Sequence, residues 1–190
     1  MRQKDENKRE AIYQSALELI TTEGLTGASM AKIAKKAHVS PATIYIYFEN
    51  KEDMLNKLYL MIKGELSDYI FRDYHNDLSI TEGMKLYMKS LFHFMVSHPF
   101  HLSFHEQFYN SPVIKQEVKE EAMAGYTPLF NLYEQSYREG LVKIPLLELA
   151  GVYLTSPIMD LAKLHRSGAI EVNEEVLNEA LEMSLRAIMG

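Results

Sequence analysis

Apolar residues in the first third of the chain recur at helical spacing. Ile12, Ala16, Leu19 and Ile20 fall at i, i+4, i+7 and i+8, one stripe of an amphipathic helix from about Asp5 to Glu23. Gly24 follows directly, and a glycine just past the last apolar turn reads as a stop because it accepts the left-handed backbone that closes a helix. Ser29 then precedes Met30, Ile33, Ala34 and Ala37, a second, shorter stripe with a hydroxyl placed as N-cap. His38-Val39 breaks the pattern. Ser40 caps a third helix with Pro41 at its first position, where a missing N–H costs nothing, and Asn50 ends it. A longer helix is predicted from Lys51 to about Asp73.

Breaks at Asn76-Asp77, His98-Pro99, Ser111-Pro112, Gly140 to Pro145 and Ser167 to Val172 divide the remainder into five helical stretches. No segment shows convincing strand alternation, no internal repeat occurs, and the loops are short. The chain is therefore expected to be all-α, with about nine helices in a compact bundle. Pro157 lies inside the fourth of the five stretches and predicts a kink or break near Ser156.

Composition narrows the class. A chain of 190 residues with 47% hydrophobic and 24% charged positions has the make-up of a folded globular protein. The lack of cysteine removes disulfides, thiolate metal sites and cysteine nucleophiles, and fits a reducing compartment. The start, MRQKDENKRE, has no secretory apolar region, and no apolar run approaches the roughly 18 residues of a membrane span, so a cytoplasmic protein without a membrane partner is expected. The net charge of -6 is unevenly spread. Residues 1–60 hold nine Lys/Arg against eight Asp/Glu, and residues 61–190 hold eleven against eighteen. Such asymmetry points to two modules with different partners, although an acidic remainder also serves simply as a solvated surface.

The three short helices of the first 50 residues, the second and third joined by a tight turn, have helix-turn-helix dimensions. Met30, Ile33, Ala34, Ala37, Val39, Ile44 and Phe48 supply the apolar contacts that clamp the second helix on the third. The other face of the third helix then presents Ala42, Thr43, Tyr45, Ile46 and Tyr47. Small, hydroxyl-bearing and aromatic groups suit a major groove, where alanine and the threonine methyl touch thymine methyls and hydroxyls bond base edges or phosphates. On periodicity alone, Tyr45, Ile46 and Tyr47 serve equally well as core for a neighbouring helix.

The stretch SMAKIAKKAHVSPATIYIYFENKEDML, preceded by TTEGLTG, resembles the DNA-binding signature of the tetracycline-repressor (TetR) family over about Lys8 to Leu58. The Gly24 turn, the Ile33-Ala34 pair, Val39-Ser40, the Tyr45-x-Tyr47-Phe48 run and Lys51-Glu52 all fall in register. The resemblance implies that Ser29 bonds a phosphate, that Pro41, Ala42 and Thr43 meet base edges, that Tyr45 and Tyr47 reach phosphates, and that Lys51 neutralises one. Ser29 and Ser40 are equally adequate caps without DNA, and Lys51 equally an ordinary surface charge. Three residues depart from the family pattern. His38 stands where glycine is usual, so a left-handed backbone is less easily tolerated there; Ile46 replaces a commonly polar or basic residue; and Glu49 brings a negative charge. Arg2, Lys4, Lys8 and Arg9 offer a minor-groove arm or, more simply, a charged tail.

The resemblance divides the chain into a DNA-binding domain at 1–50 and a helical ligand-binding and dimerisation domain at 51–190. Two features of the second part are consistent with that. Leu147, Ala150, Gly151, Leu154, Ile158, Leu161 and Ala162 on one stretch, and Val176, Leu177, Ala180, Leu181, Ser184, Ala187 and Ile188 on the last, make stripes wide enough for a homodimer through the last two helices, or else for a monomeric bundle whose last helices are well buried. Aromatics and methionines crowd the middle helices, with Met88, Phe92, Phe104, Phe108, Tyr126 and Phe130 as candidates to line an apolar effector cavity, although the same composition also makes a plain core and any single one of these residues suits that core better. The expectation is a homodimeric, ligand-responsive repressor. It would bind a pseudo-palindromic double-stranded DNA operator, be released by a small, largely apolar effector, and use no cofactor.

The alternative is a metal-dependent helical enzyme built on His93, His98, His101 and His105. His101 and His105 are i, i+4, a spacing able to grip a metal, but no HExxH is present and a third ligand would have to come from elsewhere. No GxSxG, P-loop or GxGxxG occurs either, so no catalytic and no metal-ligating residue is assigned.

Overall fold

The structure, a computed structural model, describes residues 2–75 and 77–189, with side chains from Glu6 onward. Helices α1 (Arg2–Gly27), α2 (Met30–Lys36), α3 (Pro41–Tyr47) and α4 (Lys51–Phe71) are followed by α5 (Ile80–Ser97), α6 (Pro99–Phe108), α7 (Gln116–Met123), α8 (Thr127–Arg138), α9 (Leu147–Arg166) and α10 (Glu174–Met189). No strand occurs among the described residues. All nine predicted stretches are present, and the one from 112 to 140 contains both α7 and α8, divided by a single 3-10 turn at Ala124–Tyr126. The break expected at Asn76-Asp77 falls where α4 and α5 are separated, Asn76 itself lying outside the described residues. No helix of the described residues is long and apolar enough to cross a membrane.

The chain forms two compact units, Met1–Ile62 with Pro99–Ala122 and Lys63–His98 with Met123–Gly190. Compactness therefore draws its line at a different place from the functional division expected after residue 50, and α4 contributes its first half to one unit and its second half to the other.

In the first unit, α1 packs against α2 and α6, and α2 against α3. The core holds Ile12, Ala16, Leu17, Ile20, Ile33, Ala34, Ile44, Phe48, Met54, Leu55 and Leu58, with Phe104 and Phe108 of α6 among them. Leu19, predicted on the α1 stripe, is only partly buried, whereas Leu17 is fully buried. Gly24 has φ 73 and breaks the regularity of α1, and Ala28 donates to the Gly24 carbonyl at 3.0 Å, so the predicted stop is where the helix loses its geometry.

In the second unit, α5 packs on α8, α9 and α10, and α9 on α10. Ile80, Met84, Tyr87, Met88, Leu91, Phe92, Phe94 and Met95 are all buried, so α5 is enclosed on most sides. Its entry is a capping box: the Ser79 side chain accepts from the Glu82 N–H at 3.3 Å and the Glu82 carboxylate accepts from the Ser79 N–H at 2.9 Å. Gly83 lets α8 approach, because a Cβ there would lie 2.8 Å from Leu132 Cδ2. Helix α9 runs through Pro157 without the predicted break. Proline removes the bond to the Tyr153 carbonyl, and packing on α5 and α10 holds the helix together.

Candidate nucleic-acid interface

Backbone chemistry alone places α3. The Ser40 hydroxyl accepts from the Thr43 N–H at 3.3 Å and lies 2.8 Å from Thr43 Oγ1, and Pro41 occupies the first helical position. Ile44 and Phe48 are both 0% exposed and pin the inner side, Phe48 with its ring 5.1 Å from that of Tyr13. Seven helical residues leave no room for a second buried stripe, and Pro41, Ala42, Tyr45 and Ile46 face solvent. Tyr45 is 60% and Ile46 78% exposed, so neither is core for a neighbouring helix. Thr43 and Tyr47 are half-buried, Tyr47 packing in part against the first unit's core.

The turn that aims α3 against α2 depends on His38. Its φ of 54 is the one positive value at a non-glycine residue among the described residues. The Val39 N–H donates to the Ala34 carbonyl at 2.9 Å, which closes the turn. The expectation that this position wants a left-handed backbone is met, and histidine supplies it at a cost.

The cations around this face are tied to the scaffold. Lys51 Nζ donates to the carbonyls of Leu25 at 2.8 Å and Thr26 at 3.2 Å, fastening the segment after Gly24 to the start of α4. Lys57 Nζ donates to the Tyr47 carbonyl at 2.7 Å and to Asp53 at 2.8 Å, which satisfies the C-terminal end of α3. Lys32 pairs with Glu23 at 2.5 Å and Lys36 with Glu18 at 2.8 Å, holding α2 on α1. The Ser29 hydroxyl caps α2, accepting from the Lys32 N–H at 3.2 Å, and keeps its own proton to donate. The structure thus brings Ser29, Pro41, Ala42, Thr43, Tyr45, Tyr47 and Lys51 into one compact unit, with Lys51 acting as a strut as well as a charge. Of the N-terminal cations, the Arg2 and Lys4 side chains lie outside the described residues, and Arg9 sits 5.4 Å over the Tyr13 ring.

Two residues of this unit escaped the sequence reading. Lys57 is one. The other is Asn56, which is buried in α4 and whose carboxamide donates to the Val113 carbonyl at 3.0 Å and accepts from the Lys115 N–H at 2.9 Å. Its signal was a lone amide next to Leu55 in a helix otherwise made of apolar and charged residues there.

The six candidate effector residues separate. Phe104 and Phe108 fill the first unit's core, whereas Met88, Phe92 and Tyr126 are buried and Phe130 is half-buried in the second unit. The second unit also carries a surface cleft of about 390 Å³ lined by Ser67, Asp68, Phe71, Arg72, Gly125 and Pro128, none of them among the candidates. Beside it, Phe71 meets the Tyr126 ring edge-on at 6.1 Å and Lys63 Nζ lies 4.8 Å over the same ring. Burial lowers the Lys63 ammonium to a pKa of about 8.

The four histidines of the enzyme alternative also go separate ways. His93 lies 3.8 Å from Glu174, His98 stacks on Phe94 at 4.1 Å, His101 is buried, and His105 stacks on Tyr109 at 4.5 Å. Among the described residues no three His, Asp or Glu groups are gathered so as to hold a metal. That alternative finds no support.

Comparison with known proteins agrees with this geometry. Residues 12–58 match the family model described as "Bacterial regulatory proteins, tetR family" and residues 84–189 the one described as "Tetracyclin repressor-like, C-terminal domain". The chain belongs to the TetR family. It is a DNA-binding transcriptional regulator of the helix-turn-helix type, in a family of regulators and not of enzymes. An HTH-type transcriptional regulator from Haemophilus influenzae is 26% identical over 188 residues, covering 99% of each chain. The crystal structure of a TetR family transcription regulator from Marinobacter aquaeolei superposes with a TM-score of 0.92 at 28% identity, covering 99% of this chain and 98% of that one. The transcriptional regulator FadR from Bacillus subtilis, crystallised with stearoyl-CoA, shares the TetR fold at a TM-score of 0.76 and 22% identity, covering 94% and 98% of the two chains.

Proposed function

We propose that this TetR-family protein is a homodimeric, cytoplasmic repressor whose grip on a pseudo-palindromic operator is released by a small, largely apolar effector. The observation that carries the DNA half of this reading is the α3 surface: a seven-residue helix pinned from within by Ile44 and Phe48 that offers Pro41, Ala42 and Tyr45 to solvent. In this reading Pro41, Ala42 and Thr43 meet base edges. Ser29, Tyr45 and Tyr47 donate to phosphates, and Lys51 gives a phosphate the donor not used on the Leu25 and Thr26 carbonyls. Two such helices in a dimer fit adjacent major grooves about 34–36 Å apart.

The dimer is assigned to α9 and α10. Large apolar side chains left in water gather there, with Leu149, Val152, Tyr153 and Leu164 on α9 and Met183 on α10. Such a patch on a self-complementary helix pair fits an isologous four-helix interface. The effector is assigned to the second unit, where Met88, Phe92, Tyr126 and Phe130 supply apolar and adaptable side chains. A protein of the same fold that holds stearoyl-CoA supports a ligand with a long apolar part. An effector that prefers a conformation with mis-spaced DNA-reading heads weakens operator binding, to the extent of its differential affinity for the two states.

The test is electrophoretic mobility shift on the DNA upstream of the protein's own operon. Sequence-specific retardation is expected. Tyr45→Phe and Lys51→Ala are expected to weaken it while sedimentation still shows a dimer, and Lys51→Ala is expected to reduce the salt slope by about one unit. Binding that ignores sequence altogether overturns the reading.

A further inference from the structure

Ile46 is the most exposed large apolar side chain of the described residues, at 78%, and it stands two positions from Ile44, which is 0% exposed. Burying a branched aliphatic group is one of the larger single gains available on folding, and here the fold forgoes it. The surface around Ile46 carries no charge on the helix itself. Ala42 precedes it by one turn on the same face, and Pro41 and Tyr45 form the neighbouring exposed row. Beyond the end of α3 lies Glu49, exposed and acidic, a charge that disfavours a phosphate close to it.

An aliphatic side chain has no N–H or O–H to give a phosphate, and a carboxylate nearby disfavours one. Both facts argue against a phosphate-contacting role for Ile46. Within the major groove the apolar feature that varies with sequence is the C5-methyl of thymine. We propose that Ile46 is a specificity-determining residue that packs on a thymine methyl in each half-site, with Ala42 beside it completing a methyl-lined surface. The inference rests on the reading of α3 as the DNA-reading helix and adds to it the chemistry of one recognised base.

The test starts with the full-length protein and a pool of random duplexes. Selection is expected to enrich a symmetric site with a fixed thymine in each half. Each thymine of that site is then replaced singly by deoxyuridine, which deletes only the methyl group. Binding is expected to weaken by about fourfold at one position per half-site, the equivalent of one buried methyl. Ile46→Ala should lose this discrimination and Ile46→Val keep it, with thermal melts like that of the parent because the side chain touches little of its own chain. Deoxyuridine without effect at every position, or with an undiminished effect in Ile46→Ala, overturns the inference and leaves the DNA-reading role of α3 standing. Failure to enrich any sequence overturns that role and the inference together.

Discussion

His38 pays for the turn between α2 and α3 with its own backbone. A φ of 54 places its Cβ close to the following carbonyl, a conformation that glycine adopts freely and that β-branched residues tolerate worst. The side chain is exposed, so packing does not enter the balance. His38→Gly is expected to be between neutral and about 1 kcal/mol more stable, relief of strain being partly offset by the looser unfolded chain. His38→Val is expected to be about 1–2 kcal/mol less stable, both measured by urea denaturation. Tolerance of histidine at a glycine position was legible as a conflict between residue and turn. That histidine adopts the left-handed backbone, in place of a rebuilt turn, is a fact of the packed helices on either side.

At the scale of elements, helix starts and stops were legible because their causes are local. Ser29 and Ser40 cap α2 and α3 through hydroxyls next to the N–H groups they satisfy, Ser79 caps α5 in the same way, and Gly24 ends the regular part of α1. Continuation of α9 through Pro157 was not legible, since neighbouring helices hold it. Asn56 shows the same limit from the other side. Its carboxamide pairs with Val113 and Lys115, partners more than 50 positions along the chain. Asn56→Ala leaves a part-buried carbonyl and N–H without that partner and is expected to cost about 1–3 kcal/mol, with faster hydrogen exchange at the Lys115 amide. Asn56→Asp retains the acceptor and loses the donor, so it should protect the Lys115 amide better than alanine does.

At the scale of the whole molecule, two predictions test assembly and pH response. Val152, 52% exposed, and Met183, 59% exposed, lie on the surface assigned to the dimer. The double variant Val152→Glu/Met183→Glu is expected to sediment as a monomer with an unchanged helical circular-dichroism spectrum, and to bind operator at least about tenfold more weakly once the second half-site is no longer tethered. The pH response follows from two buried groups. The Lys63 ammonium titrates at about 8 in the folded protein against an ordinary 10.5, because burial disfavours its charge. From about pH 8 to pH 10 the unfolded chain therefore binds more protons, and stability rises with pH. The Tyr59 phenol, pushed up from 10.0 to about 12 by burial and then by Tyr109, acts in the opposite sense, so above about pH 10 the native state holds the extra proton and stability falls. Lys63→Met is expected to abolish the rising limb of the urea midpoint between pH 8 and 10 and leave the fall above it.

The sequence by itself determined the helical class, the capped helices of the first 58 residues and the family, because apolar spacing, caps and a dense local motif each act within a few turns of the chain. It also marked Tyr45 and Ile46 as candidates to face DNA, with a buried role equally open. Only the tertiary structure showed that both are exposed, since exposure depends on which helices surround α3 and none among the described residues covers that side. The same holds for Phe104 and Phe108. Their composition suited an effector cavity and a plain core alike, and the segment 99–122 packs on α1 with both rings in the core there.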